Sequence, residues 1–184
     1  GTDASTTVIG STPEYVVVNN SPVRSGRFFT TFEDQGDRKV CVVGPSLAEK
    51  LTGSARTDLT GLDLSINKSV FKIVGMLSPK GTGNFGQDQD DVVIVPITAA
   101  MRRVLGSTRI DMVSVSCKSQ DMMPLAQEQI SALLRNRHHL RPPFPENDDF
   151  QVMSQTDLLA RSQTITTTMT TMLTAVAIIS LIVG

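Results

Sequence analysis

The chain has no tryptophan, a single tyrosine and an aromatic content of 4%. That shortage removes the stacked side chains on which single-stranded nucleic acids are usually held. Neither sign of charge dominates. Seventeen Lys and Arg stand against 18 Asp and Glu, leaving a formal net charge of −1, and the basic residues are scattered. With no basic stripe, a nucleic-acid partner is excluded. There is no Walker A sequence, so ATP hydrolysis by that route is excluded as well. The only two histidines, His138 and His139, are adjacent. Neighbouring residues on a helix diverge by about 100°, so the pair cannot hold one metal from helical geometry. No His-x-x-x-His or His-Glu-x-x-His spacing is present. Basic residues at the end of a helix are better explained by its dipole.

Cysteine is equally scarce. Cys41 and Cys117 both lie in apolar, strand-like surroundings, with no Cys-x-x-Cys pair and no His–Asp set nearby. Two readings stand: a disulfide, if this face of the protein is outside the cytoplasm, or two small buried residues in strands. A domain of this size does not need a staple. The opening Gly1-Thr2-Asp3-Ala4-Ser5 is polar and small and lacks a signal-peptide pattern. The expectation is a piece of a longer protein.

What the chain does have is an uncharged end. No charged residue follows Arg161, and the last residues, Ala175-Val176-Ala177-Ile178-Ile179-Ser180-Leu181-Ile182-Val183-Gly184, are almost wholly apolar. A spanning helix needs about 20 mostly apolar residues. The tail is expected to be the first turns of a membrane helix, cut short. The roughly 160 residues before it are enough for one domain with a core, or for two small lobes. With so few aromatics that core must be built from Val, Leu, Ile and Met.

Hydrophobic periodicity gives an α+β order of elements. Tyr15-Val16-Val17-Val18 reads as a short strand, followed by a polar stretch over 19–36. Lys39-Val40-Cys41-Val42-Val43 reads as a second strand, closed by Gly44-Pro45. A short helix over 47–51 follows, with Ser46 as its cap and Gly53 at its end. Residues 62–66 and 70–77 read as a hairpin. A glycine-rich loop from Ser78 to Asp90 leads to a strand over 91–96 and a short helix ending at Gly106. Residues 111–117 alternate as a strand. Pro124 suits the first turn of the next helix, capped by Ser119 or Asp121. Its apolar stripe is Ala126, Ile130, Leu133 and Leu134, with Arg137 in line; Gln127, Glu128, Ser131 and Arg135 fall outside it. A Pro-rich loop over 141–149, a strand over 150–153 and a helix from Asp157, capped by Ser154 or Thr156, complete the chain. The first lobe is thus mostly β with short helices. The second is a β-α-β unit, with parallel strands, feeding a membrane helix.

Gly81-Thr82-Gly83-Asn84-Phe85-Gly86 matches G-x-G-x-x-G. A dinucleotide site needs that motif directly after a strand and opening a helix. Here Ser78-Pro79-Lys80 intervenes and a strand follows, so Gly81, Gly83, Asn84, Phe85 and Gly86 are instead candidates for a partner-contact loop. Asp88, Asp90 and Asp91 crowd the same loop without EF-hand spacing, and read as a solvated acidic stretch rather than a calcium site. Nothing amounts to an active site, so no enzyme activity, cofactor or metal is expected of this chain.

Taken in order, several segments resemble MacB-type, FtsX-like ABC transporter permeases. These are Val8-Ile9-Gly10-Ser11-Thr12-Pro13-Glu14-Tyr15, Gly26-Arg27-Phe28-Phe29, Val40-Cys41-Val42-Val43-Gly44-Pro45-Ser46-Leu47-Ala48, Phe71-Lys72-Ile73-Val74-Gly75-Met76-Leu77 and Asp91-Val92-Val93-Ile94-Val95-Pro96. Residues 130–139, Asp149-Phe150-Gln151-Val152 and the tail from Met169 continue the series. No single segment is specific, but the ordered set is. The resemblance implies a porter-like β-α-β lobe with an inserted, mostly β lobe, followed by a truncated transmembrane helix. Residues 1–25 would be a porter-lobe strand and connection, 26–109 the inserted lobe, 110–156 the porter β-α-β unit and 157–184 the helix entering the membrane. It further implies an extracytoplasmic domain of a bacterial inner-membrane protein that couples cytoplasmic ATP hydrolysis to export of an antibiotic, peptide or lipid-like substrate. ATP and Mg would belong to a cognate ABC ATPase domain. A permease homodimer and a periplasmic adaptor are the other implied partners. Asp157, Arg161, Met169, Met172 and Leu173 form the candidate membrane-coupling segment. A peptide-sensing ectodomain and a lipoprotein-releasing permease are the alternatives.

Overall fold

The computed structural model describes residues 3–83, 88–154, 157, 167–174 and 176–177. The chain divides into two compact units, Gly1–Val115 and Ser116–Gly184. The class is α+β.

The first unit is built on a mixed six-stranded sheet. Its strands are β1 (Thr7–Ser11), β2 (Val23–Gly26), β3 (Val40–Val43), β4 (Asp63–Ile66), β5 (Ser69–Leu77) and β6 (Val92–Pro96). They run in the order β1-β6-β3-β5-β2, with β4 also on β5. β1 is parallel to β6 and β3 is parallel to β5; β3 and β6, β5 and β2, and β5 and β4 are antiparallel. The hairpin of β4 and β5 forms as expected, turning at Asn67 and Lys68, both with positive φ. The boundary expected between residues 25 and 26 falls inside β2, so the sheet draws strands from both sides of it.

Both faces of the sheet are covered, which is why β6 reads as an unbroken apolar run, buried at every residue. One face packs Cys41, Val43, Phe71, Ile73, Val93 and Val95 with Leu47, Ala48, Ala99 and Ala100. The other packs Val42, Val92 and Ile94 with Phe29 and, at its margin, Tyr15 and Phe28. In β5 the register against β3 shifts by one residue, so that Cys41 faces Ile73 and Val42 faces Gly75. The extra residue changes the parity of the strand, and puts Met76 in the same core as Phe71 and Ile73.

The helices are short. α1 (Tyr15–Val18) stands where the sequence reads as a strand. The turn at Thr12-Pro13-Glu14 sets this: Tyr15 N–H donates to Thr12 O at 3.1 Å and Val18 N–H to Glu14 O at 3.0 Å. Local bonding and the stacking of Tyr15 on Phe28 override the strand preference of three valines. α2 (Thr31–Gln35) lies in the stretch read only as polar, and opens with a capping box of Thr30 and Glu33. α3 (Pro45–Thr52) ends at Gly53 in the left-handed region as expected. Its cap is Gly44 rather than Ser46, with Pro45 in the first turn. A Cβ on Gly44 would run into the Asp90 carbonyl group, so the strand and the helix meet there through bare backbone. α4 (Ile97–Ala99) continues as a π-helical turn over Ala100–Leu105 and stops at Gly106.

In the second unit, a 3-10 turn (Gln120–Met122) leads into α5 (Met123–Arg137). Pro124 sits in its first turn as expected, but neither Ser119 nor Asp121 caps it through a side chain. The strands expected over 111–117 and 150–153 do not form. Alternation marks a segment able to join a ladder, but a strand needs a neighbour to bond with. Residues 111–117 pair with none among the described residues and leave Met112 80% and Val113 76% exposed. Residues 167–174 are helical. Among the described residues no helix is long and apolar enough to cross a membrane. Most of the apolar tail, including 178–184, lies outside the described residues.

Cys41 is a buried residue of β3, as one reading expects, whereas Cys117 is half-buried and in no strand. Both are free, and burial pushes the Cys41 thiol up to about 12, which leaves it inert.

Candidate functional site

Two places carry the residues singled out by the sequence: the glycine-rich loop in the first unit and the helix entry in the second.

The loop leaves β5 at Leu77 and enters β6 at Val92. Its base is organised by the three aspartates: Asp88 is exposed as expected, Asp91 is half-buried and Asp90 is buried. Asp90 is only 8% exposed. Its two carboxylate oxygens accept the backbone N–H groups of Lys80 and Gly81, each at 2.8 Å. Asp88 accepts the Asp90 N–H at 2.8 Å and the Ser46 hydroxyl at 2.8 Å, which ties the loop to the first turn of α3. Those bonds hold the Asp88 carboxyl below its usual range, the Ser46 hydroxyl contributing most. Lys50 donates to Asp91 and to the Ser5 carbonyl, both at 2.6 Å. Lys80 reaches the Asn19 carbonyl at the end of α1. The acids are therefore consumed as clamps. Among the described residues no group of three His, Cys, Asp or Glu is placed to hold a metal ion.

Gly81 uses a φ of +80° to make the turn, and its carbonyl accepts Gln89 N–H at 3.2 Å. Thr82 and Asp88 form an isolated antiparallel bridge. Gly83 is half-buried beside that bridge. Asn84, Phe85 and Gly86, the expected contact residues at the tip, lie outside the described residues.

In the second unit the residues outside the apolar stripe of α5 make the contacts. Gln127, Ser131 and Arg135 recur every four residues and so share a face. Arg135 grips Asp148 with two bonds, 2.9 and 2.6 Å, and its guanidinium lies 4.2 Å from the centre of the Phe144 ring. The Arg135 guanidinium holds the Asp148 carboxyl below its ordinary range. One turn further on, His138 Nδ1 contacts Asp149 at 2.8 Å, and its ring meets Phe150 edge-on. At the other end of the face, Gln127 Nε2 donates to Asp157 Oδ2 at 3.0 Å. The chain over 148–157 therefore returns along α5 in the opposite direction, leaving a shallow groove lined by Ser131, Arg135, Pro145, Asp148, Phe150 and Val152.

Ser154 and Asp157 close the return segment. Ser154 N–H donates to Asp157 Oδ2 at 3.0 Å, and Asp157 N–H donates to Ser154 Oγ at 3.1 Å. This reciprocal pair is a capping box, and it bears out Ser154 as the cap. Arg161 lies outside the described residues. Met169, Met172 and Leu173 are exposed and fall on one face of the helical residues 167–174. Thr171 and Thr174 bond back to the carbonyls of Thr167 and Thr170 at 2.8 Å, so their hydroxyls are satisfied within the helix.

The S-x-x-D pattern at 154–157 is a legible signal for this cap. Arg135–Asp148, His138–Asp149 and Gln127–Asp157 are not legible, because each joins residues brought together only by the return of the chain.

The family described as MacB-like periplasmic core domain matches residues 1–133. Among curated relatives, the macrolide export ATP-binding/permease protein MacB of Azoarcus sp. strain BH72 is 33% identical over 183 residues, covering 100% of this chain and 26% of that protein. The MacB of Chlorobium luteolum is 36% identical over 174 residues, covering 94% and 25%. That of Syntrophobacter fumaroxidans is 30% identical over 230 residues, covering 96% and 32%. The chain thus spans about a quarter to a third of the length of these relatives. Among solved structures, the periplasmic region of MacB from Actinobacillus actinomycetemcomitans superposes with a TM-score of 0.64 at 21% identity, over 86% of this chain and 64% of that one. The extracellular domain of the noncanonic ABC-type transporter YknZ from Gram-positive bacteria gives 0.59 at 21% identity, over 73% and 65%. At that identity the likeness is one of fold.

Proposed function

The chain belongs to the family of MacB-like periplasmic core domains, and from that membership we propose that it is the extracytoplasmic moving part of an ABC transporter permease in a bacterial inner membrane. It is a mechanical module and not an enzyme. A cognate ABC ATPase domain binds ATP and Mg in the cytoplasm, and helices carry its motion to two copies of this domain, which close on one another and drive substrate out. The exported substrate is a macrolide-like or comparable amphiphile, in keeping with the relatives' activity. A periplasmic adaptor receives it, and the loop over 81–86 is the surface that meets this adaptor.

The observation that carries the reading is the clasp of residues 148–157 along α5, closed by a capped helix start at Asp157. A lever must be stiff where it meets the body it moves. A helix is suited to this because its backbone bonds are satisfied internally, in water and in lipid alike. The exposed apolar segment over 110–115 fits a porter lobe that takes its ladder partner from elsewhere in the protein. By this reading residues 110–156 are the second half of that lobe and 157–184 lead into the membrane.

The test uses the full-length transporter in proteoliposomes, with ATP-driven efflux of a radiolabelled macrolide as the readout. Val17, 79% exposed on α1, is replaced by Cys in a Cys117→Ser background, and the two copies are joined with a cleavable bis-maleimide. Efflux should stop on cross-linking and return on cleavage. Efflux at full rate from fully cross-linked protein would refute the mechanical reading.

A further inference from the structure

We infer that Gln127 is a positioning residue for transmission: by holding the Asp157 carboxylate, it locks the chain at Asp157 to α5, so that motion is passed on at that residue. The inference rests on the mechanical reading above and deepens it by naming the joint.

Asp157 Oδ2 is shared by two donors, Gln127 Nε2 and Ser154 N–H, both at 3.0 Å. One oxygen therefore serves both the cap of the new helix and its attachment to α5. The Ser154 hydroxyl accepts the Asp157 N–H, which completes the reciprocal cap. Eight residues further along α5, Arg135 holds Asp148 at the other end of the return segment. Eight helical residues rise about 12 Å. The return segment is thus pinned at two points about 12 Å apart on one rigid face. Without Gln127 the return segment is held only at its start, by Arg135 on Asp148 and His138 on Asp149, and the Gln127 bond fixes its far end.

Gln127 is a suitable residue for this pin because a carboxamide donates to a carboxylate without adding charge. Gln127→Glu would set two carboxylates against each other and open the joint. Gln127→Lys keeps a donor: the ammonium introduced at position 127 donates to the Asp157 carboxylate, which still accepts the Ser154 N–H.

The experiment uses the full-length transporter in nanodiscs, in the Cys117→Ser background. Cys41 is buried, with its thiol pushed up to about 12, and does not take label. Spin labels at Glu128→Cys and Val176→Cys within one copy report the joint, and labels at Glu128→Cys in both copies report the nucleotide-driven stroke. In the parent protein the within-copy distribution should be narrow in both nucleotide states, while the between-copy distance shifts on trapping with ATP and vanadate. In Gln127→Glu the within-copy distribution should broaden and the shifted fraction fall about fivefold, the scale of one lost charge-assisted hydrogen bond, with basal ATP hydrolysis unchanged. Gln127→Lys, which keeps the donor, should match the parent in both. Loss of the stroke in Gln127→Lys as well as in Gln127→Glu would mark a merely structural role and refute the joint. If the parent shows the stroke and Gln127→Glu matches it, the joint is refuted and the mechanical reading stands. If the parent shows no between-copy shift, the mechanical reading fails and the joint with it.

Discussion

Replacing Asp90 by Ala should destabilise the first unit and loosen the glycine-rich loop at its base. The wild-type carboxylate, 8% exposed, accepts two backbone N–H groups at 2.8 Å, one per oxygen. Each is a charge-assisted bond, and each donor left without its acceptor costs about 1–2 kcal/mol where water can partly replace it. The two together give about 2–4 kcal/mol. Asp90→Asn keeps one acceptor and turns an amide donor toward the second N–H, so it should fall between the parent and Asp90→Ala. The backbone of Asp90 works independently of its side chain. Its carbonyl accepts Ser46 N–H at 3.3 Å and its N–H donates to Asp88 at 2.8 Å, so the entry to β6 should survive the substitution. Urea unfolding of the 184-residue chain gives the stability, and hydrogen exchange at the amides of Lys80 and Gly81 reports the loop. Exchange there should accelerate while the amides of β6 keep their relative protection. A stability within about 0.5 kcal/mol of the parent, with unchanged exchange at both amides, would refute the assignment of Asp90 as the clamp.

Phe71→Ala should cost about 3–5 kcal/mol in the same urea assay, because the ring is fully buried and centred in the larger core. Gly44→Ala should cost about 2 kcal/mol, since the added methyl meets the Asp90 backbone, whose carbonyl carbon lies 2.9 Å away and cannot rotate aside. Glu33 should make the first unit acid-sensitive: two 2.7 Å bonds from Arg27 and the Thr30 cap lower its carboxyl from 4.5 to about 2. In that interval the unfolded state takes up a proton that the folded state refuses, so this contribution is complete above about pH 4.5 and is lost as pH falls toward about 2. Thermal unfolding of the parent and of Glu33→Gln should converge across that window, and a constant gap between the two would contradict the assignment.

Elements whose cause is local can be read from the sequence. Cys41 to Val43 and Val92 to Val95 are buried on both faces and appear as apolar runs. Pro45 and Gly53 mark the ends of α3, and a clear periodicity marks α5. The sequence misleads where a neighbour decides. Three valines at 16–18 prefer a strand, yet the turn before them closes a helix. Residues 111–117 have the alternation of a strand but no ladder partner among the described residues. β1 is hidden in a run of small and polar residues, because its place is set by pairing with β6, eighty-five positions away. The same holds at the candidate sites. Asp88, Asp90 and Asp91 look solvated until folding brings Ser46, Lys50 and Lys80 to them. The apolar stripe of α5 does not mark the face that meets the returning chain. The polar residues 127, 131 and 135 are the ones that meet the returning chain.

The central claim is that ATP in the cytoplasm moves this domain. It is tested most directly by the separation between two labels at Val17→Cys, one in each permease copy of the full-length transporter, measured by pulsed electron paramagnetic resonance without nucleotide and after trapping with ATP and vanadate. The account predicts two distance distributions, interconverted by nucleotide and abolished by a substitution that prevents ATP binding. A single distribution, unchanged by nucleotide in a preparation that hydrolyses ATP, would contradict it.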